Sequence, residues 1–136
     1  MKKLLFVLGL LLISPCAYAQ GPFPSNVAVK SNLILNNTTA IAIKTSGGTV
    51  FKVEGFNNSA TLAYIKLYNT ATATCGSGTP YLRFLIPAAA NGVLIADNSN
   101  GAAFVAGIQL CVTTGYADND TGAPAASAYI VNVYYR

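Results

Sequence analysis

The most constraining feature of the sequence is a recurring alternation of apolar and polar residues with a period of two. In the run Leu62–Asn69, the side chains of Ala63, Ile65 and Leu67 fall on one side of an extended chain. The same pattern, rich in β-branched and aromatic residues, recurs along the chain, whereas no segment after residue 19 repeats apolar residues at helical spacing. The sequence therefore predicts an all-β fold.

Eight such segments are separated by turn-forming residues. The predicted strands are Val27–Leu35, Ala40–Thr45, Thr49–Gly55, Leu62–Asn69, Tyr81–Ile86, Val93–Ala96, Phe104–Thr113 and Ala128–Tyr135. Between them, Gly47-Gly48 is typical of a tight hairpin, and the polar run from Asp97 to Gly101 predicts a capped turn. Eight strands at this spacing predict a single antiparallel β-sandwich of jelly-roll type.

One face of each predicted strand is expected to build a hydrophobic core between two sheets. The residues predicted to point inward are Phe51, Val53, Ile65, Leu67, Leu82, Phe84, Phe104, Ile108, Leu110, Val131 and Val133.

The opposite face of two predicted strands is half apolar and rich in tyrosine. Its candidate interface residues are Leu62, Tyr64, Lys66, Tyr68, Tyr81 and Arg83. Tyrosine and arginine are enriched in protein interfaces, and large exposed apolar patches mark interaction sites. Two interpretations stay open: this face binds another subunit, or its tyrosines lie flat on the protein's own sheet beside the two cations.

The N-terminus has the three-part pattern of a secretory signal. A basic start precedes the apolar run Leu4–Ile13, and Ala17-Tyr18-Ala19 supplies small residues for cleavage. We expect residues 1–19 to form a signal helix and residues 20–136 to form the domain. The apolar run has about half the length that a membrane-spanning helix requires. Retention of this segment and attachment of a lipid at Cys16 are the alternatives.

Export has a consequence for the cysteines. After cleavage only Cys75 and Cys111 remain, and an exported chain folds in an oxidising compartment. The sequence therefore predicts a disulfide between them, with two separate buried thiols as the alternative.

The composition excludes several kinds of catalysis. The chain has no histidine, so a His-activated nucleophile and His-ligated zinc are excluded. Its acidic residues number four, and no phosphate-binding glycine motif occurs. We therefore expect no enzyme activity, no cofactor and no small-molecule substrate.

Two further kinds of site have little support. Asp118 and Asp120 form a weak candidate for a calcium-binding site. Two carboxylates fall short of the six to eight oxygen ligands that calcium takes. A polar loop with Asx turns is the simpler interpretation. After removal of residues 1–19, and with them Lys2 and Lys3, the chain has six basic and four acidic residues and a net charge of +2. The six are scattered along the chain, and nucleic-acid binding needs a cluster.

Several short segments occur in an order that resembles small β-sandwich proteins of tailed bacteriophages. The segments are Thr61–Asn69, Gly78–Pro80, Ile86–Ala88, Phe104–Ile108, Thr113–Thr121 and Val131–Arg136. The resemblance runs from about Thr49 to Arg136 and implies a virion component such as a decoration, fibre or neck-associated module, with no catalytic residues. The secretory signal and the paired cysteines depart from it, because virions assemble in the cytoplasm.

Two functions follow as hypotheses. The first is a structural subunit of a virion or extracellular filament that forms homo-oligomers or binds other subunits through the tyrosine-bearing face, with no nucleic acid and with membrane contact only through the signal segment. The second is a secreted binding module, an adhesin or glycan-binding protein, that uses the loops at residues 70–80 and 115–124. Both place the mature protein outside the cytoplasm or in a virion.

Overall fold

A computed structural model describes residues 26–34, 39–89, 93–125 and 128–136, with the main chain alone for residues 32–34 and 93–99. Over these residues the chain forms strands and no helix. The strands are β1 (Ala28–Ile34), β2 (Ile41–Lys44), β3 (Gly48–Asn57), β4 (Ala63–Asn69), β5 (Leu82–Ile86), β6 (Val93–Phe104), β7 (Ile108–Thr113) and β8 (Tyr129–Tyr135). The predicted all-β class is confirmed.

The strands form two four-stranded antiparallel sheets. The first sheet has the order β1-β8-β3-β6, and the second has the order β2-β7-β4-β5. Of the connections between consecutive strands, only the one from β4 to β5 stays within a sheet. Every other connection crosses between the sheets, so neighbours in a sheet are mostly distant in sequence.

The inner faces of the two sheets share one hydrophobic core. Fully buried side chains come from both sheets, including Val131 and Val133 of the first and Ile65 and Leu67 of the second. All residues predicted to point inward lie in this core or pack against it, except Phe51.

Phe51 is buried outside the shared core because β3 contains a bulge. The pairing of β3 shifts register between Val50 and Lys52, so Val50 and Val53 both reach the core although they are three residues apart. An inserted residue reverses the inward–outward alternation beyond it. Phe51 packs instead against Gly101 and lies 5.8 Å beneath the guanidinium of Arg136.

The predicted hairpin at Gly47-Gly48 is wrong, since β2 and β3 belong to different sheets. The two glycines allow the chain to pass close to other backbone segments. A Cβ atom would lie 2.8 Å from the Val105 carbonyl oxygen at Gly47, and 2.5 Å from the Arg136 carbonyl oxygen at Gly48. A hairpin and a crowded crossing both require glycine, and the sequence alone does not distinguish them.

The turn predicted from Asp97 to Gly101 is also wrong, because these residues lie within β6. Asp97 pairs with Lys52 of β3, and Phe104 ends β6 rather than beginning the next strand. The long ladder with β3 prevails over the local preference of Asn, Ser and Gly for turns. Gly101 accommodates an irregularity in this ladder with a φ of 73°.

The predicted signal segment, residues 1–19, and Cys16 within it lie outside the described residues. The described ranges contain no helix that could span a bilayer.

Candidate functional site: the outer face of the second sheet

Two loops cover the outer face of the second sheet. Residues 70–80, here called the cystine loop, connect β4 to β5, and residues 114–125, here called the acidic loop, follow β7. The two loops touch at Gly76, where a Cβ atom would overlap Thr121 Cγ2. The face that the sequence predicts to be an interface is thus partly covered by the chain itself.

A disulfide attaches the cystine loop to this face. Cys75 and Cys111 are bonded, with their Cα atoms 5.7 Å apart, as the sequence predicts. Cys111 lies in β7 directly beside Lys66 of β4. Both sulfur-bearing residues are buried and pack against Tyr68. The disulfide therefore fixes the loop above the centre of the sheet.

Lys66 attaches the acidic loop. Its side chain is fully buried, and its Nζ donates a hydrogen bond to the Ala117 carbonyl oxygen at 2.5 Å. Burial lowers the pKa of Lys66 because the ammonium loses its hydration, and the charges of Asp120 and Asp118 offset part of this effect. The lysine predicted to face a partner thus lies inside, beneath the protein's own loop.

Arg83 makes the second attachment. Its Nε donates to Asp118 Oδ1 at 2.9 Å, and a terminal nitrogen of the guanidinium contacts the same oxygen. The guanidinium also lies 5.6 Å from the ring centre of Tyr116. The Tyr116 ring meets Tyr64 edge to face, with centroids 5.6 Å apart. These four side chains form a continuous layer between β4, β5 and the acidic loop.

Both candidate metal residues already contact other groups of the protein. Asp118 is bound by Arg83, and Asp120 Oδ1 accepts a hydrogen bond from the Gly122 amide at 3.0 Å. The positive charge of Lys66 acts on both carboxylates. In the part of the chain that the structure describes, no cluster of three or more potential metal-ligating side chains occurs. Asp118 thus lies in an ion pair and Asp120 in an Asx turn, and the weak calcium candidate stays a prediction.

Tyr68 is the second interface candidate that lies inside. Its exposed fraction is 3%, and its buried hydroxyl makes no hydrogen bond of acceptable geometry with the described residues. Burial raises the pKa of Tyr68, because the phenolate would be poorly solvated. The nearby Gly76 backbone offsets part of this rise.

The other interface candidates keep exposed surface. Leu62 is 41% exposed and Tyr81 is 51% exposed, whereas Tyr64 and Arg83 are half-buried. Tyr81 packs edge to face on the core residue Phe104, with ring centroids 5.0 Å apart. Whether this surface binds another molecule stays a prediction.

Two exposed residues were missing from the candidate set. Leu85 pairs with Tyr64 across β4 and β5 and is 47% exposed, and Tyr116 in the acidic loop is 62% exposed. Alternation within β5 places Leu85 on the same side as Arg83, so the exposure of Leu85 on this face could have been predicted from the sequence. No periodic pattern marks Tyr116, because it lies in a loop.

Two open grooves flank the covered region. The apolar groove has a volume of about 620 Å³ and is lined by uncharged residues, among them Leu62, Leu85, Pro87 and Thr114. The polar groove, about 420 Å³, lies along the cystine loop and is lined mainly by hydroxyl-bearing side chains such as Thr74. The outer face therefore combines an apolar surface beside β5 with a polar one beside the disulfide.

Comparison with known proteins gives no match: no family model, no curated protein and no solved structure resembles the chain at a significant level.

Proposed function

We propose that the chain is a non-catalytic structural subunit, of a virion or an extracellular filament, that assembles through the outer face of its second sheet. The observation that carries this proposal is the exposed, uncharged surface formed by Leu62, Leu85 and the apolar groove. Apolar surface next to aromatic residues and an arginine is the composition that favours association, and here Tyr64, Tyr116 and Arg83 supply it.

We further propose that the two sheets form a jelly-roll sandwich, and the strand order supports this. The antiparallel pairs β1–β8, β2–β7, β3–β6 and β4–β5 are nested around the connection between β4 and β5. Such a pattern arises when one long hairpin is rolled into two sheets. Jelly rolls occur in viral capsid and lectin domains, so the topology suits assembly and binding, although a fold alone does not assign a function.

The chemistry of the outer face also favours a structural function. Its two cations, Lys66 and Arg83, contact the acidic loop rather than an open cleft. The disulfide suits an oxidising environment, which agrees with secretion of the mature protein.

The experiment is light scattering coupled to size-exclusion chromatography, with electron microscopy of the same fractions. We expect the oxidised protein to form a regular oligomer at about 100 µM, since a contact of micromolar strength is populated there. Leu62→Asp should weaken assembly at least tenfold, because it places a charge on the surface that must be desolvated. The control Val105→Asp, at an apolar position that is 83% exposed on the turn between β6 and β7, should leave assembly unchanged. A clean monomer at about 100 µM would contradict the proposal.

The polar groove favours a second candidate function, a secreted binding module. Its volume of about 420 Å³ is in the range of small-molecule sites. Because its lining carries hydroxyl groups and no charged side chain, a neutral ligand rich in hydroxyl groups, such as a glycan, fits it best. A glycan array should then give hits that Thr74→Val abolishes, and an array without hits would exclude this function.

A further inference from the structure

We propose that two copies of this chain pair edge to edge through β5, antiparallel about a two-fold axis at Phe84, and join their second sheets into one continuous sheet. This inference rests on the proposed function as an assembly subunit and adds a second contact to it. It concerns the main-chain edge of the sheet, whereas the preceding section concerns the outer face.

Among the edge strands that the structure describes, β5 has the most regular pairing. The edges are β1 and β6 in the first sheet and β2 and β5 in the second. The pairings of β1, β2 and β6 with their neighbours each contain a register shift, whereas β5 pairs with β4 without one. Bulges and irregular edges hinder the addition of a further strand. By this criterion β5 is the edge best prepared to accept one.

Charge does not protect this edge either. A lysine or arginine on an edge strand usually stays in water and opposes pairing. The single charged residue of β5 is Arg83, and its guanidinium is bound to Asp118 and lies over Tyr116 on the protein's own acidic loop. The charge that could prevent association is thus neutralised within the monomer.

The core is also open at β5. Leu82 and Phe84 point toward the core but stay partly exposed, whereas their partners on β4, Leu67 and Ile65, are fully buried. A strand added beside β5 would cover the exposed parts of both side chains. Burial of this apolar area would favour the pair and offset part of the entropy lost on association.

The sequence of β5 fits a second copy of itself in one register. With the two-fold axis at Phe84, all five residues of β5 pair, and Arg83 lies opposite Leu85 of the second copy. An axis at Arg83 would place two arginines directly opposite each other, which is destabilising. An axis at Leu85 would bring Arg83 opposite Pro87, which has no N–H to donate.

A second copy is the partner we infer because the contact is self-complementary. A two-fold contact uses the same surface on both subunits, and the unpaired edge of one antiparallel strand offers donors and acceptors to the other. The chain is also poor in charge, with 9% charged residues, so repulsion between copies is weak.

Hydrogen exchange of the oxidised full-length protein tests the edge directly. The peptide that contains β5 should exchange about tenfold more slowly at about 200 µM than at about 5 µM, because pairing protects the outward amides. The peptide that contains β1, the edge strand of the other sheet, should exchange at the same rate at both concentrations.

Two matched variants test the same contact by light scattering. Leu85→Lys places a charge on β5, and Val29→Lys places one on β1; the two side chains have nearly equal exposed fractions, 47% and 48%. Leu85→Lys should raise the dissociation constant at least tenfold, and Val29→Lys should leave it unchanged. Because Leu85 also lies on the outer face, a loss of assembly in Leu85→Lys counts for the β5 edge only together with concentration-dependent exchange of the β5 peptide. If Leu85→Lys fails to melt cooperatively, the exchange result on the unmodified protein decides.

The outcomes separate the two proposals. An oligomer that both variants retain, with exchange in β5 independent of concentration, would overturn pairing through β5 while the assembly function stands. A monomer at every concentration would overturn both.

Discussion

Removing the disulfide is the perturbation whose magnitude the structure defines best. The bond between Cys75 and Cys111 closes a loop within the chain, with a sequence separation of 36. Replacing both cysteines by alanine restores the entropy of that loop to the unfolded chain. The substitution also releases the cystine loop from β7. In the intact protein Cys75 of this loop packs against Tyr68.

The expected loss of stability is several kcal/mol. Loop-closure entropy for this separation gives about 4 kcal/mol at 25 °C. Both cysteines are almost completely buried, so the alanine variant also loses sulfur packing and should fall slightly below the reduced protein. In a domain of this size, 1 kcal/mol corresponds to a change in Tm of about 4 °C, so the midpoint should fall by about 15 °C.

Urea denaturation of the oxidised, reduced and alanine proteins measures this difference. Reductant should lower the free energy of unfolding of the parent by about 4 kcal/mol. It should have no effect on the variant that lacks both cysteines, which serves as the control. A loss below about 1 kcal/mol in both comparisons would refute the entropic reasoning.

Two further predictions concern the glycines of the cystine loop and a surface ion pair. Gly76 and Gly78 both have positive φ, 78° and 76°, so alanine at either position should lower the free energy of unfolding by about 1 kcal/mol. Gly76→Ala should lower the melting temperature more than Gly78→Ala, because its Cβ would overlap the acidic loop, whereas Gly78 has open space around it. Equal losses in thermal melting would contradict the contact at Gly76. Hydrogen bonds from Lys52 and, to a smaller extent, Tyr134 hold the pKa of Glu54 below its ordinary value. The ionised carboxylate therefore stabilises the fold fully above about pH 4.3, and this contribution is lost as the pH falls through the lowered pKa. The partly exposed ion pair between Lys52 and Glu54 contributes at most about 1 kcal/mol to the free energy of unfolding. Lys52→Gln should reduce the fall in that free energy between about pH 5 and pH 3. An unchanged pH dependence would contradict the role of Lys52 in lowering the pKa of Glu54.

Alternation in the sequence is sufficient to predict the strands whose two faces differ clearly. In β8, Tyr129, Val131 and Val133 are completely buried and alternate with partly exposed residues. The inward residues of β4 were also predicted correctly, although loops cover its other face as well. Six of the eight strands match their predicted bounds to within two residues at each end, and β6 and β7 are the ones that differ. In β6, turn-forming residues lie inside the strand because pairing with β3 outweighs a local preference, and β6 therefore includes Phe104, which the sequence assigned to the next strand.

The packing of the cystine loop and the acidic loop over the outer face could not be predicted from alternation. The contact between Lys66 and Ala117 spans 51 residues, and that between Arg83 and Asp118 spans 35. Alternation correctly places Lys66 on the outer side of β4, but it does not report what packs above that side. The disulfide was predictable on the expectation that residues 1–19 are removed, because Cys75 and Cys111 are then the two cysteines that remain.

Sedimentation velocity of the oxidised protein tests the central proposal, that this chain functions by associating with neighbouring subunits, most directly. Between about 1 and 200 µM the sedimentation coefficient should rise with concentration from that of one subunit to that of a defined assembly, and Leu85→Lys should shift this rise to concentrations at least tenfold higher. A single species with the mass of one chain over the whole range would contradict the account.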